Sequence, residues 1–263
     1  MKIRMFQVDA FTSQLFSGNP AAVCPLERWP SEELMQNIAL ENNLAETAFY
    51  VRQDEGFGIR WFTPAVEVDL CGHATLAAAF VIFELEKYDG NAIRFVSPRS
   101  GELTVTKNGD LLTLDFPSDA YTKAEFTREL LEGFDLKPRE TYRGKTDYML
   151  VFDTEDEIRS LQPDFTELAK VPARGVIVTA AGEQCDFVSR FFAPQSGINE
   201  DPVTGSAHTT LIPYWYARTG KQTLHARQLS SRGGTLTCTY KNERVLISGN
   251  ARLYLRGEIE IDL

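Results

Sequence analysis

The chain has 263 residues, 43% of them hydrophobic, and its 27 Lys plus Arg against 37 Asp plus Glu leave a net charge of −10 with no long acidic or basic block. Such a chain can bury a substantial core, which excludes a disordered protein, and it lacks the clustered positive charge that nucleic acid rewards. Cys24, Cys71, Cys185 and Cys238 show neither zinc spacing nor the density of a disulfide scaffold, and no window approaches the length of an apolar membrane span. The expectation is a cytoplasmic protein with reduced thiols and with no membrane partner.

In chain order, the first half predicts strands at "RMFQVDAFT", "AAVCPL", "TAFYVRQ", "GIRWFT", "AIRFVSP", "LTVTKNG" and "LLTLDFP". Between the second and third lies "PSEELMQNIALENN", which opens on Pro30 and Ser31, carries early glutamates and ends in an Asn pair, the pattern of a capped amphipathic helix. A second helix, over 74–85, is apolar on nearly every face and has to be enclosed by sheet. The second half predicts a helix at "DEIRSLQPDFTELAKV", strands at "GVIVTAA" and "CDFVSRFFA", an apolar helix after Gly205, and late strands at "LHARQLSS", "GTLTCTYKN", "ERVLISGNA" and "RLYLRGEIEIDL". Turn signals such as "KNGD" and "YKNE" predict mostly antiparallel pairing.

The halves repeat one another. "FGIRWFTP" (57–64) returns as "FVSRFFAP" (187–194), matching Phe57 to Phe187, Arg60 to Arg190, Phe62 to Phe192 and Pro64 to Pro194. Each copy then runs into a glycine turn and an apolar helix, with Gly72 matching Gly205 and Ala74 matching Ala207 after a three-residue insertion. A repeat near half the chain length predicts an internal duplication, since solenoids need short periods. The fold class expected is therefore α+β: two pseudo-symmetric halves, 1–115 and 116–252, each a curved, mostly antiparallel sheet around a central apolar helix, with the terminal strand 253–263 returning to the first.

Glycine-led helix starts leave backbone amides uncovered, and the helix dipole favours an anion there. If the two halves face each other, two such ends meet at one cleft suited to a small carboxylate. His73, with an imidazole that titrates near neutrality, and Ser206 can cap their helices or touch ligand; Asp201 is either a ligand-facing acid or a carboxylate stabilised by the helix dipole. Arg60 and Arg190, among aromatic strand residues, are expected to pair with carboxylates. Cys71, His73 and His208 lack ligand spacing and a fourth ligand, so no metal is expected.

Taken together, "VDAFTSQLFSGNPAAV", "NNLAETAF", "WFTPAVEVDLCGHATLAAAF", "SRFFAPQSGINEDPVTGSAH" and "QLSSRGG" resemble the phenazine biosynthesis PhzF-like family of isomerases over residues 8–234. The resemblance implies the diaminopimelate epimerase fold, a homodimer, and acid/base catalysis without cofactor or metal on a small anionic metabolite. It implies Glu46 as the catalytic glutamate, with His73, Asp201 and Ser206 beside it, and Asn19, Gly72, Gly205 and Gly233 lining the pocket. Read alone, Glu46 is a strand-end glutamate in water, although Leu44, Ala45, Ala48 and Phe49 around it suit a desolvated base. Two other readings stay open: a catalytically silent metabolite-binding protein, and an epimerase dependent on Cys71. The second lacks a partner thiol, because the repeat places Thr204 opposite Cys71.

Overall fold

A computed structural model of the chain, described over residues 1–261, shows a mixed α/β architecture rich in strands and poor in helices. The chain divides into two compact units, the first comprising Met1–Asp115 with the segment from Ser248 onward, the second Phe116–Ile247. The returning segment thus begins ahead of the expected residue 253, and the last two residues of the expected terminal strand lie outside the described residues.

In the first unit the elements are β1 (Lys2–Ala10), β2 (Asn19–Leu26), α1 (Glu32–Asn42), β3 (Glu46–Gln53), β4 (Gly56–Phe62), β5 (Glu67–Val68), α2 (Gly72–Phe80), β6 (Ala92–Ser97), β7 (Gly101–Asn108) and β8 (Leu111–Pro117). The helix α1 forms as its sequence dictates. Ser31 caps its start by accepting from the Leu34 amide at 3.3 Å, Glu32 and Glu33 meet the positive end of the dipole, and Asn43 closes it at φ 47°. Its Met35, Ile38 and Ala39 pack with Ile3, Cys24, Phe49 and Phe62. In α2 every residue from His73 to Ala79 is buried, and the helix packs on β1, β2 and β3. The small side chains Ala74, Ala77, Ala78 and Ala79 let those strands approach closely. Burying a residue such as Leu76 contributes about 1.5–3 kcal/mol. Beyond Phe80 the helix widens into one π turn, Val81–Leu85, so the expected single helix over 74–85 changes its hydrogen bonding midway.

The second unit runs β9 (Thr122–Lys123), α3 (Arg128–Glu132), β10 (Glu140–Arg143), β11 (Asp147–Val151), α4 (Glu155–Ser160), α5 (Phe165–Leu168), β12 (Gly175–Ala181), β13 (Phe187–Ala193), β14 (Ile198–Glu200), α6 (Gly205–Thr219), β15 (Thr223–Gln228), β16 (Gly234–Lys241) and β17 (Arg244–Gly249). The final strand, β18 (Ala251–Glu260), pairs with β1. The single helix expected over 156–171 is instead two short ones. Pro163 lacks an amide hydrogen and its ring obstructs the helix before it, while Asp164 caps the next turn by accepting from the Thr166 and Glu167 amides. Another proline, Pro213, sits inside α6 without breaking it. The carbonyl of Thr209, which Pro213 cannot serve, accepts instead from the Asp119 amide at 3.1 Å.

Pairing is not purely antiparallel. In the first unit β2–β3 is parallel, β3–β4 and β4–β5 antiparallel, β4–β6 parallel and β6–β7 antiparallel. In the second, β11–β12, β12–β13, β13–β14, β13–β15 and β15–β16 follow the same succession of parallel and antiparallel. The parallel pairs arise because helices bridge the two strands in sequence, α1 and then α2 in one unit, α4 with α5 and then α6 in the other.

Candidate active site

In the first unit three chain segments bring the expected residues together. Asn19 is the first residue of β2, Glu46 the first of β3, and Cys71, Gly72 and His73 form the start of α2. Gly18 makes the entry to β2 possible: at φ +72° it adopts a left-handed turn, and a Cβ there would collide with the Ala10 carbonyl. Parallel pairing of β2 with β3 sets Ala21 opposite Glu46, so the two strand starts lie side by side at one edge.

His73 is the hub. The Asn19 amide nitrogen lies 3.2 Å from its Nδ1, and the Cys71 sulfur 3.5 Å from the same atom. A side-chain NH2 facing Nδ1 makes that nitrogen an acceptor in the neutral ring and sends the ring hydrogen to Nε2. On that side stands Glu46, its Oε2 3.1 Å from Nε2, close but without the alignment of a full hydrogen bond. The His73 side chain is 6% exposed and that of Glu46 14%, so the pair sits just beneath the surface. Burial disfavours a charged His73, but the anionic forms of Cys71 and Glu46 work the other way and prevail, holding its pKa well above the ordinary histidine value. Burial, first, and the Glu46 charge, second, raise the pKa of the Cys71 thiol. Burial thus works against the thiolate, while the neighbouring imidazole works for it.

Glu46, Cys71 and His73 present donor atoms within 4.8 Å of one another, the spacing of a metal cluster. Cys71 lies by Nδ1 and Glu46 by Nε2 of the same ring, so the two neighbours approach different nitrogens of His73.

Within the second unit the remaining expected residues gather at the start of α6. Thr204 is its N-cap and makes no side-chain cap bond; its hydroxyl instead donates to Asp201 at 2.5 Å. Gly205 and Ser206 open the helix. Gly233 lies in a loop at φ +65°, where its amide donates to Ser230 Oγ at 3.0 Å while Ser230 donates to the Pro202 carbonyl at 2.8 Å, so "QLSSRGG" braces the Asp201–Thr204 loop.

Three residues that sequence reasoning passed over organise this region. Buried Gln228 accepts from the Thr204 amide at 2.8 Å and donates to the Asp201 carbonyl at 2.8 Å, clamping both ends of the loop. Arg174 donates to Ser206 Oγ from Nη1 at 2.9 Å and to Asp147 from Nε at 2.9 Å and from Nη2. The only sequence signal was Arg174 standing directly before a glycine-started strand, which by itself reads as a loop cation. Arg60 and Arg190, by contrast, behave as expected: Arg60 pairs with Glu67 at 2.6 Å and Arg190 with Glu200 at 2.7 Å.

The four cysteines are free, and burial pushes the Cys24 thiol up to about 12. Among the described residues no helix is long and apolar enough to cross a membrane.

Residues 8–257 match the family described as phenazine biosynthesis-like protein, PhzC-PhzF. An "uncharacterized isomerase" of Pseudomonas aeruginosa is 53% identical over 99% of this chain and 100% of its own length. The crystal structure of a phenazine biosynthesis protein of the PhzF family from Enterococcus faecalis superposes with a TM-score of 0.96 at 47% identity, over 99% of this chain and 100% of that one. A hydroxyproline epimerase from Agrobacterium vitis, at 10% identity and a TM-score of 0.63 over 98% of this chain and 92% of that one, shares the fold alone.

Proposed function

Because the chain belongs to the phenazine biosynthesis-like PhzC-PhzF family, we propose that it is an isomerase that moves a proton within a small carboxylate-bearing metabolite, with Glu46 as the proton carrier. The observation that carries this reading is the contact between Glu46 and buried His73 at the joined starts of β3 and α2. A carboxylate just below the surface, oriented by an imidazole that is itself anchored by Asn19, is a base already held in place. It removes a proton from a carbon next to the substrate's carboxylate or carbonyl. The C–H electron pair becomes a new double bond, and where the substrate already has one, the proton is delivered to its far end. In a substrate without one, the proton returns to the carbon it left, which exchanges hydrogen with solvent but forms no isomer. This route draws on side chains alone and calls on no cofactor or metal.

Within the second unit, the start of α6 carries groups suited to gripping a carboxylate. The amides of its first turn and the Ser206 hydroxyl form a group of donors at the positive end of a 15-residue helix. Gly72 leaves the start of α2 equally bare of a Cβ. Asp201, held by Thr204 and Gln228, shapes the approach to Ser206. We take the working form to be a cytoplasmic homodimer, which sedimentation of the purified protein checks.

A panel of small unsaturated, hydroxy and amino carboxylic acids, incubated with the protein in deuterium oxide and followed by NMR, tests the reading. The wild type is expected to place deuterium on carbon in at least one acid, and Glu46→Gln to slow that labelling by about 10²–10⁴. Equal labelling by Glu46→Gln removes Glu46 from the chemistry. Binding without labelling would turn the conclusion toward a silent metabolite-binding protein.

A further inference from the structure

Register ties Arg174 to the repeated plan of the units. In the first, β3 pairs with β4 so that Thr47 faces Phe62; in the second, β12 pairs with β13 so that Val176 faces Phe192. Phe62 and Phe192 are matching residues of the repeat, so Glu46 corresponds to Gly175 and the residue just before Gly175 is Arg174. His73 and Ser206 hold the same place, second in their helices. In each unit, then, a side chain at a strand start meets the second residue of a helix, Glu46 with His73 and Arg174 with Ser206.

The chemistry at the two places is opposite. A guanidinium has five N–H donors and no acceptor, whereas a serine hydroxyl has one donor hydrogen and two lone pairs. When Arg174 Nη1 donates to Ser206 Oγ, it fills a lone pair and offers nothing to receive the serine hydrogen in return. That hydrogen has to point elsewhere, and Ser206 becomes a donor. Arg174 is itself locked from two sides. Its Nε and Nη2 engage both oxygens of Asp147, whose side chain is 3% exposed, and its guanidinium stacks 5.4 Å from the centre of the Phe191 ring. Gly175 leaves room for that ring, because a Cβ there would run into it.

We propose that Arg174, clamped by Asp147, is a positioning residue that fixes the Ser206 hydroxyl as a hydrogen-bond donor to the carboxylate of the substrate. This rests on the reading of α6 as the carboxylate grip and extends it. Asp147 neutralises most of the arginine's charge, so the guanidinium works by aiming Ser206 and not by binding the anion itself. Lysine does not replace it, since a single ammonium cannot span Asp147 in a fork and reach Ser206 as well.

The test uses benzoate, with benzamide as its uncharged isostere, titrated into the full-length protein while the Ser206 and Ala207 amide signals are followed by NMR. Wild type is expected to shift those signals with benzoate more strongly than with benzamide. Ser206→Ala should weaken benzoate by about tenfold, and Arg174→Met and Arg174→Lys by about three- to tenfold. In the Ser206→Ala background, Arg174→Met should add no further loss. Equal losses with and without Ser206 would show that Arg174 binds the anion directly and overturn the positioning role. Unchanged affinity in both Arg174 variants would overturn it while leaving the α6 grip in place. No response of the α6 amides in wild type would overturn the grip and the positioning role together, without touching Glu46. If Arg174→Met does not fold, Arg174→Lys and Asp147→Asn, which frees the guanidinium, carry the same comparison.

Discussion

The starts of α2 and α6 are built to one plan and equipped for different work. Both follow an extended N-cap, both open with glycine, and both place a polar side chain second. At α2 that side chain is a buried imidazole against a carboxylate, a pair that can exchange protons. At α6 it is a hydroxyl that accepts from a guanidinium, which leaves its own hydrogen free to donate. The supporting framework, meanwhile, stayed the same: Arg60 with Glu67 over Phe62, at 5.2 Å, answers Arg190 with Glu200 over Phe192, at 4.9 Å. What differs between the units is the chemistry at one turn, an imidazole beside a carboxylate at α2 and a hydroxyl beside a guanidinium at α6.

The largest effect expected from breaking this division is on turnover. His73→Gln should lower the labelling rate by about 10² or more, whereas Ser206→Ala should act mainly through substrate affinity, a split read from kcat and KM. Similar kcat losses in both variants would mean that the two helix starts share the chemistry.

A second contrast lies in the two buried histidines. His208, in α6, donates from Nδ1 to the Thr204 carbonyl at 2.8 Å, and burial lowers its pKa to about 4. A depressed histidine favours the native state while it stays neutral. Its contribution is present above 6.5 and is lost as pH falls toward 4, by roughly 3 kcal/mol over that window. Urea unfolding at a series of pH values should therefore show the gap between wild type and His208→Leu narrowing in acid by about that amount. His73 runs the other way. Its raised pKa gives stability that is fully present below 6.5 and is lost as pH rises through the raised value, a slope that His73→Gln should flatten.

The shared framework offers a third comparison. Arg190→Met removes the pair with Glu200 and leaves the carbonyls of Ile158 and Leu161 without its Nη1 hydrogen bonds, so a loss of about 3 kcal/mol is expected in urea unfolding. Arg60→Met should cost less, about 1–2 kcal/mol, because Arg99 remains 2.8 Å from Glu67. Equal losses would mean that Arg99 does not compensate. The smallest effect is expected at Cys71, where burial works against the thiolate. Cys71→Ser should label nearly as fast as wild type, and its inactivity would revive a thiol-dependent epimerase.

Much of the architecture was legible in the sequence because it rests on local rules. Alternation marked most strands, among them "FGIRWFTP" at β4 and "FVSRFFAP" at β13, and Ser31 and Asn43 bounded α1. The interruption at Pro163 is also local: the missing amide and the ring of the proline override the helical pattern over 156–171.

The candidate site divides along the same line. Residue type and position pointed to His73, Asp201 and Ser206, and the family resemblance implied Asn19 and Glu46. They could not show that Asn19, Glu46 and His73 meet, because those residues are far apart in the chain and only the parallel registration of β2 with β3 beside α2 closes the distance. Gln228, Asp147 and Arg174 were illegible for a stronger reason. A glutamine at a strand end, an aspartate at a strand start and an arginine in a loop have no local signature, and their roles exist only once folding fills their hydrogen-bonding capacity with Thr204 and Ser206. Sequence determined which chemical groups the protein has; tertiary structure decided which of them are donors, which are acceptors, and which stand near enough to act.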